Sequence, residues 1–252
     1  MTQPFKTVAL VGRHEDKRVA EPMATLAGYL TKTGTSVIAN PDIARALGAR
    51  AVEESEIAEE ADLIIAVGGD GTMLYAAKLA GDVNLPLLGV NRGRLGFLTD
   101  VSPAEMIGNL ERILRGEFSS ETRLLLDAHI RAPDGSERSA TALNDIALQR
   151  CEGGRMLYFE TLIDGKPLNA HAGDGLILAT PTGSTAYALS CGGPIIEPNL
   201  NAIVIVPVCP HTLSDRPIVI PADRRVEVIL HAHGSTKAEI AIDGINLGQT
   251  AV

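Results

Sequence analysis

The sequence predicts two domains: a Rossmann-like, three-layer α/β domain with a parallel sheet, followed by an all-β sandwich domain. Up to about Asp100, strand-like and helix-like patterns alternate, which is the order of a parallel sheet covered by helices. After Phe118 the patterns are mostly strand-like, and three Asp-Gly pairs stand between them, as β-hairpin turns do. We therefore expect the fold to change from α/β to all-β between these two residues.

Within the first domain, each element follows from a short pattern. We expect strands at Thr7–Val11, Ser36–Ala39, Asp62–Val67 and Leu87–Val90, helices at Glu21–Thr31 and Thr72–Leu79, and a helix plus loop across the charged, Ala-rich stretch Ile43–Glu60. Ligands of such sheets bind at the carboxyl ends of the strands, which is where Asp70 and Asn91 fall.

A helix is expected to join the two domains. The segment Ser102–Glu105 resembles a capping box with proline at the first helical position, which predicts a helix to about Arg115. The predicted boundaries are 1–101 for the α/β domain, 102–117 for the connecting helix and 118–252 for the sandwich. The hairpin turns of the sandwich are predicted at Asp134-Gly135, Asp164-Gly165 and Asp243-Gly244.

Composition limits the classes of function. The chain has 252 residues, of which 45% are hydrophobic, and this is enough for one large domain or two modest ones with real cores. A net charge of −9 argues against a protein that coats nucleic acid, because that role needs a positive field. Any phosphate site must therefore be local, and we expect a metal ion to assist it.

Several features indicate a cytoplasmic protein. The N-terminus lacks the apolar core of a signal peptide, and the longest apolar runs have only the length of a strand, so no membrane span is expected. Cys151, Cys191 and Cys209 are odd in number and widely spaced, which fits neither a disulfide framework nor a zinc site.

Two loops rich in small residues each follow a buried strand. Gly68–Thr72 follows Leu63–Val67, and Thr180–Tyr187 occurs in the second domain. Glycines let the backbone approach a ligand, and free amides at a helix start favour anionic oxygens, which together predict a cleft for a phosphorylated substrate. Asp70 repels phosphate, so it is better suited to hold Mg²⁺ or to accept a proton from a hydroxyl nucleophile. The alternative is an Asp-Gly turn in which Asp70 caps the helix.

Two further polar segments are candidates for ligand contact. In Asn91–Phe97, the arginines Arg92 and Arg94 could screen phosphates and Phe97 offers a flat apolar face; the alternative is a solvated turn with a core phenylalanine. The pair Asn144-Asp145 suits hydrogen bonding to sugar hydroxyls, but it could equally form an Asx turn.

Some common motifs are missing. The sequence lacks G-x-x-x-x-G-K-[ST], which excludes a Walker-type nucleotide hydrolase. It also lacks G-x-G-x-x-G, because position 74 is Leu74, and this makes an ordinary dehydrogenase a poor interpretation. No serine-centred nucleophile elbow occurs. His171 could touch a ligand, although a histidine in a surface loop is the commoner case.

In their order and spacing, these motifs resemble those of bacterial NAD kinases. The matching segments are Gly68–Thr72, Asn144-Asp145, Asp174-Gly175 and Thr180–Tyr187, and the likeness extends over nearly the whole chain. The first loop alone is shared with lipid kinases and phosphofructokinases, whereas its combination with Thr180–Tyr187 is strongly specific. The resemblance implies an α/β domain plus a β-sandwich, in a homodimer or homotetramer with the site at a subunit interface.

The resemblance also implies a reaction and a set of site residues. The reaction is transfer of the γ-phosphoryl of ATP, or of polyphosphate in some members, to the 2′-hydroxyl of the adenosine ribose of NAD⁺, with Mg²⁺ held mainly by the donor phosphates and NADP⁺ as product. By analogy Asp70 would take the hydroxyl proton, Asn144 and Asp145 would contact NAD, and Asp174 would hold its nicotinamide side. The other implied substrate-binding residues are Gly68, Gly69, Gly71, Thr72, Phe97, Arg155, Thr182, Thr185, Ala186, Tyr187 and Ser190. The family usually has Asn-Glu at Asn144-Asp145, so here the carboxylate is one methylene shorter.

Two other functions are alternatives at this point. A lipid kinase of the diacylglycerol or sphingosine type shares the loop Gly68–Thr72, but its usual Gly-Thr-Gly-Asn-Asp segment is replaced here by Asn91–Phe97. A non-catalytic dinucleotide sensor would bind NAD without turnover, and the presence of Asp70 argues against it because binding alone needs no base.

Overall fold

The computed structural model describes residues 4–81, 83–93, 96–151, 156–212, 214–231 and 237–251. The chain divides into two compact units, Met1–Ser120 and Glu121–Val252, which are called the first and the second unit below. Among the described residues, no helix has both the length and the apolar character needed to cross a membrane.

The first unit is a parallel five-stranded sheet with helices on both faces. Its strands are β1 (Thr7–Gly12), β2 (Ser36–Ala39), β3 (Arg50–Ala51), β4 (Leu63–Gly68) and β5 (Leu87–Asn91), and its helices are α1 (Lys17–Lys32), α2 (Pro41–Leu47), α3 (Ile57–Glu60), α4 (Asp70–Ala80) and α5 (Met106–Leu114), with a short 3₁₀ helix at Glu54–Glu56. The strand order is β3-β2-β1-β4-β5, and all neighbouring pairs are parallel.

Both faces of this sheet are covered by apolar side chains. Val8 and Leu10 of β1 pack in one core with α1, α2 and α5, whereas Ala9 and Val11 pack in a second core with α3 and α4. Strand β4 is buried at every position, as a central strand covered by helices on both sides must be. The predicted three-layer α/β domain is confirmed.

The starts of three helices differ from the prediction. Helix α1 begins at Lys17 rather than Glu21, because the Asp16 carboxylate caps it by accepting a hydrogen bond from the amide of Arg18 at 3.0 Å. Helix α4 begins at Asp70 rather than Thr72, because the amides of Thr72 and Met73 already donate to the carbonyl of Gly69. The helix expected from Pro103 begins at Met106, because the Ser102 hydroxyl donates to the Glu105 carboxylate at 2.6 Å instead of accepting from a helix amide. This helix packs in the core of the first unit through three apolar side chains, Met106, Leu110 and Leu114.

The second unit consists of antiparallel sheets. Its strands are β6 (Leu126–Arg131), β7 (Glu137–Ala142), β8 (Asp145–Arg150), β9 (Leu157–Ile163), β10 (Lys166–Gly173), β11 (Gly175–Ala179), β12 (Ala202–Val208), β13 (Ile218–Pro221), β14 (Val226–Leu230), β15 (Lys237–Ile242) and β16 (Ile245–Ala251). A six-stranded sheet has the order β13-β12-β11-β8-β15-β16, a three-stranded sheet has the order β10-β9-β14, and β6 pairs with β7. A 3₁₀ helix (Thr182–Thr185) and helix α6 (Tyr187–Ser190) follow β11.

The two larger sheets of the second unit share one core. Leu157 and Phe159 of the three-stranded sheet pack with Leu176 and Ile203 of the six-stranded sheet, which is the arrangement of a sandwich. On the opposite face of the six-stranded sheet, Ala188 of α6 packs over β11 and β12. The segment that follows β11 is therefore fixed on this face.

The three predicted hairpins are all present. β6 pairs with β7, β9 with β10 and β15 with β16, and an Asp-Gly pair lies between the two strands of each. In the last two turns both residues have positive φ, at 50° and 73° for Asp164-Gly165 and at 49° and 76° for Asp243-Gly244. Two successive positive φ values are typical of type I′ turns, which match the twist of the strands they join.

Candidate active site

The glycine-rich loop of the first unit leaves β4 at the carboxyl edge of the sheet. A Cβ atom at Gly68 would lie 2.7 Å from the Cβ atom of Thr72, so only glycine fits under that side chain. In contrast, a Cβ atom at Gly69 or Gly71 would meet no described protein atom within 4 Å. The loop therefore presents bare backbone to open space beside the start of α4.

Asp70 lies in the first turn of α4, but it does not cap the helix. Gly69 occupies the N-cap position, and the Asp70 carboxylate accepts hydrogen bonds from the amides of Phe97 (3.2 Å) and Leu98 (3.0 Å). A Cβ atom at Gly96 would overlap Oδ1 of Asp70, so the loop after β5 can close on the carboxylate only with glycine there. These contacts fix the orientation of Asp70 and leave it half-exposed.

The loop after β5 brings a cation and an aromatic ring to the same edge of the sheet. Buried Asn91 accepts a hydrogen bond from the amide of Gly93 at 2.8 Å, and Gly93 has a φ of 106° that favours glycine. Phe97 is 71% exposed, so the interpretation as a core phenylalanine is wrong. Arg92 forms an ion pair with Asp16, at 3.5 Å between Nη1 and Oδ2. Arg94 lies outside the described residues.

In the second unit, Asp243 holds the backbone of the pair Asn144-Asp145. Its carboxylate accepts hydrogen bonds from the amides of Leu143 (2.9 Å), Asn144 (2.7 Å) and Asp145 (3.1 Å). The sequence predicts only a hairpin turn at Asp243, and this role does not follow from it. The partners of Asp243 lie 98 or more positions away in the sequence, so no local pattern indicates this role.

Asp145 is a buried carboxylate with a raised pKa. Only 5% of its surface is exposed. Burial and then repulsion from Asp243 raise the pKa to about 6, although a hydrogen bond from the amide of Tyr187 acts in the opposite direction. Asp145 therefore changes charge close to neutral pH, and it lies where the segment after β11 meets β8.

The segment Thr180–Tyr187 is joined to Asn144-Asp145 by direct contacts. The Thr180 hydroxyl donates to the carbonyl of Leu143 at 2.6 Å and accepts from the amide of Gly183 at 3.0 Å. A Cβ atom at Gly183 would overlap the backbone carbonyl of Asn144. The two motifs thus form one site in the second unit, although they are 35 or more positions apart in the sequence.

The predicted site residues of this segment differ in exposure. Thr182 is buried, and its hydroxyl has no hydrogen-bond partner among the described residues. Thr185 and Ala186 are half-buried, whereas Tyr187 and Ser190 are exposed. Of these five residues, Thr185, Ala186, Tyr187 and Ser190 can contact a ligand without a rearrangement of the segment, whereas Thr182 cannot.

Asp174 forms a close ion pair with Arg150. Asp174 directly precedes β11 and Arg150 ends β8, and Nε of Arg150 is 2.6 Å from Oδ1 of Asp174. Arg155, a predicted site residue, lies outside the described residues, and Arg150 is not among the residues predicted from the sequence. His171 is not in a surface loop: it is 7% exposed, lies on β10 and contacts Asp215 at 3.0 Å.

The chain is similar to known proteins along both units. Residues 8–118 match the family model "ATP-NAD kinase N-terminal domain", and residues 143–248 match "ATP-NAD kinase C-terminal domain". The NAD kinase of Nitrosococcus oceani is 43% identical over 247 residues, which are 97% of this chain and 84% of that protein.

Two solved structures have the same fold. The crystal structure of yeast NADH kinase complexed with NADH has a TM-score of 0.92 and 28% identity, and the match covers 100% of this chain and 79% of that one. The crystal structure of an NAD kinase from Archaeoglobus fulgidus in complex with ATP has a TM-score of 0.75 and 27% identity, and the match covers 97% of this chain and 86% of that one.

Proposed function

The chain belongs to the NAD kinase family, and from that premise we propose how its residues carry out the reaction. It phosphorylates NAD with ATP as a substrate. We infer that Asp70 is the catalytic base. The observation that supports this role is the geometry of its carboxylate, which two amides of the following loop hold at the carboxyl edge of the parallel sheet.

The proposed step is a direct phosphoryl transfer. The 2′-hydroxyl oxygen of the adenosine ribose forms a bond to the γ-phosphorus of ATP, the bond from that phosphorus to the β–γ bridging oxygen breaks, and ADP leaves. The hydroxyl proton passes to the carboxylate of Asp70. Open backbone at Gly69 and Gly71 gives the phosphates room to approach the start of α4.

A divalent metal ion is part of the proposal. Mg²⁺ favours oxygen ligands and keeps several waters, so a site with a single loop carboxylate, Asp70, suits an ion held mainly by the donor phosphates. When bound, the ion would neutralise charge on these phosphates. Among the described residues, no cluster of three or more His, Cys, Asp or Glu side chains has the geometry of a metal site.

Recognition of NAD is proposed for the second unit. Asn144 and Asp145 would hydrogen-bond the ribose or base, and Asp174, oriented by Arg150, would hold the nicotinamide side. The half-buried and exposed residues of the segment after β11 would line the adenosine pocket. These residues are Thr185, Ala186, Tyr187 and Ser190.

We also propose that the enzyme is a cytoplasmic homodimer or homotetramer. The free thiols of Cys151, Cys191 and Cys209 fit a reducing compartment. Ile195 and Leu200 are large apolar side chains that are 69% and 54% exposed, and contact with another subunit would cover such surface. Sedimentation equilibrium measures the subunit number directly, and a monomer at all concentrations would contradict the oligomer.

The function is tested by NADP⁺ formation from NAD⁺, ATP and Mg²⁺, measured with a coupled NADP-specific dehydrogenase. We expect product formation that a chelator abolishes and that Asp70→Asn reduces by orders of magnitude, with NAD binding retained in calorimetry. Asp42→Asn, an exposed carboxylate in α2, is the matched control and should behave as the wild type. Wild-type turnover in Asp70→Asn would contradict the role of Asp70, and NAD binding without any turnover would favour a dinucleotide sensor.

A further inference from the structure

The carboxyl edge of the first unit contains a topological switch point between β1 and β4. The chain runs from β1 outward to β2 and β3, then returns to β4 and continues in the other direction to β5. Loops that leave the two strands at such a point turn away from each other and open a crevice between them, in which α/β proteins bind their ligands. Here the crevice lies between the ends of β1 at Gly12 and β4 at Gly68.

The side chain of Arg92 spans this crevice. Arg92 directly follows β5, and its Nη1 atom lies 3.5 Å from Oδ2 of Asp16 in the loop after β1. Because β4 lies between β1 and β5 in the sheet, the arginine must cross the carboxyl end of β4, where Gly69 begins the glycine-rich loop. Its guanidinium is thus at the edge where open backbone at Gly69 and Gly71 faces solvent.

The loop after β1, the first turn of α1 and Arg92 together carry more positive than negative charge. Asp16 is shared, because it also accepts three hydrogen bonds from Arg18, at 3.0 Å from the amide, 3.0 Å from Nε and 2.8 Å from Nη2. The nearby Arg13 is exposed and forms no ion pair with any described residue. Arg13, Arg18 and Arg92 thus contribute three guanidinium groups, whereas the loop after β1 contributes the two carboxylates of Glu15 and Asp16, in a chain whose net charge is −9.

Arg92 is the more easily released of the two partners of Asp16. Its contact is a single one at 3.5 Å, whereas Arg18 makes close, bidentate contacts, and half of the Arg92 side chain is exposed. An exposed ion pair of this kind stabilises a protein little, so exchange of the carboxylate for a phosphate costs little. The turn fixed by Asn91 and Gly93 keeps the arginine directed at the crevice during such an exchange.

We propose that Arg92 binds the terminal phosphates of the donor nucleotide in the crevice between β1 and β4, and that Asp16 is its partner when the donor is absent. The proposal rests on the proposed function and adds the location of the donor site in the first unit. The guanidinium would form charge-assisted hydrogen bonds to the γ- and β-phosphate oxygens, where negative charge shifts during transfer.

Steady-state kinetics of Arg92→Gln, with ATP and NAD⁺ varied in turn, test the proposal. Loss of a charged hydrogen bond predicts an ATP KM about 10- to 100-fold higher, with the NAD⁺ KM changed less than about twofold. Inhibition by inorganic tripolyphosphate, competitive with ATP, should weaken by the same factor, because it reports the phosphates without the adenosine. Arg92→Lys should recover part of the loss. Arg115→Gln, an exposed arginine of surface ion pairs, is the matched control.

The outcomes separate this proposal from the proposed function. A raised NAD⁺ KM with an unchanged ATP KM, or no change in either, would overturn the assignment of Arg92 and leave the kinase intact. If the wild type forms no NADP⁺, the function itself fails. Asp16→Asn removes the competing charge, so its ATP KM should be equal to or lower than that of the wild type; a higher value would contradict the exchange. Thermal melts show whether Arg92→Gln is folded, and Arg92→Lys serves if it is not.

Discussion

Asp243 fixes the backbone of Asp145 with one carboxylate oxygen and raises the pKa of its side chain through the negative charge of the same group. Its carboxylate accepts hydrogen bonds from the amides of Leu143, Asn144 and Asp145. Burial, and then repulsion from the negative charge of Asp243, raises the pKa of Asp145 to about 6. One side chain of the proposed NAD site is therefore sensitive to pH near neutrality, mainly because it is buried and in part because Asp243 is close.

Replacement of Asp145 by asparagine should stabilise the protein at neutral pH. The folded-state pKa lies above the ordinary value of 3.8, so the native state binds more protons than the unfolded state between about pH 4 and pH 6. The contribution of this group to stability is complete below that window and is lost as the pH rises through about 6. At pH 7.5 we expect Asp145→Asn to gain on the order of 1 to 3 kcal/mol, at about 1.4 kcal/mol for each pKa unit.

Thermal melts at pH 7.5 and pH 4.5 measure this effect. The melting temperature of the variant should exceed that of the wild type at pH 7.5, and the difference should shrink at pH 4.5. Asp223→Asn, an exposed aspartate of the same unit, controls for the loss of a surface charge. An Asp145→Asn variant that is less stable than the wild type at pH 7.5 would show that the ionised carboxylate is stabilising in the native state.

Binding of NAD⁺ should weaken as the pH falls through about 6. An ionised Asp145 accepts hydrogen bonds from ribose hydroxyls more strongly than a neutral one, so protonation competes with the ligand. If only the ionised form binds, the Kd at pH 5 should be about tenfold higher than at pH 7.5. Calorimetry of the wild type and of Asp145→Asn gives the comparison, because the variant should bind more weakly and show a flat profile. Parallel profiles in the two proteins would exclude Asp145 as the titrating group.

The sequence predicted the fold well because its signals are local. Each of three patterns predicts the structure of the few residues around it. They are buried runs such as Leu63–Val67, Asp-Gly pairs with the required positive φ, and glycine clusters between a strand and a helix. Asp70 and the pair Asn144-Asp145 are candidates that such local patterns indicate. Asp243, however, acts on residues that are 98 or more positions away, so no local pattern could show it.

The contact between Arg150 and Asp174 also could not be predicted from a local pattern. Arg150 occupies an ordinary position at the end of a strand, and only the antiparallel pairing of β8 with β11 brings it to Asp174. His171 was misjudged because a strand residue buried on Asp215 has the same local sequence as one in a loop. Contacts that depend on the pairing of distant strands, rather than on periodicity, are the part of the site that the sequence leaves open.

A methyl group at Gly183 should disrupt the proposed NAD site. The Cβ atom of Gly183→Ala would overlap the backbone of Asn144, which cannot move without breaking the hydrogen bond from its amide to Asp243. Overpacking of this kind costs about 1–3 kcal/mol or more, and we expect a lower melting temperature and strongly weakened NAD⁺ binding. Gly28→Ala in α1, where a Cβ atom meets no described atom within 4 Å, is the control and should be neutral or stabilising. Unchanged binding in Gly183→Ala would mean that the two segments can separate without loss of the site.

Replacement of Gly71 by alanine tests whether the fold or a ligand requires glycine at this position. Gly71 lies inside α4, its φ is not in the positive region, and a Cβ atom there would meet no described protein atom within 4 Å. Alanine is favoured over glycine in a helix by about 0.5–1 kcal/mol, so Gly71→Ala should stabilise the free protein slightly. If substrate lies against this backbone, as proposed, the same methyl group should lower kcat/KM by an order of magnitude or more.

Gly108→Ala in α5 has the same open surroundings and provides the matched control, with a similar gain in melting temperature and no change in turnover. Full activity in Gly71→Ala would contradict close approach of the substrate to the glycine-rich loop, whereas a loss of both stability and activity would indicate a role of Gly71 in the fold.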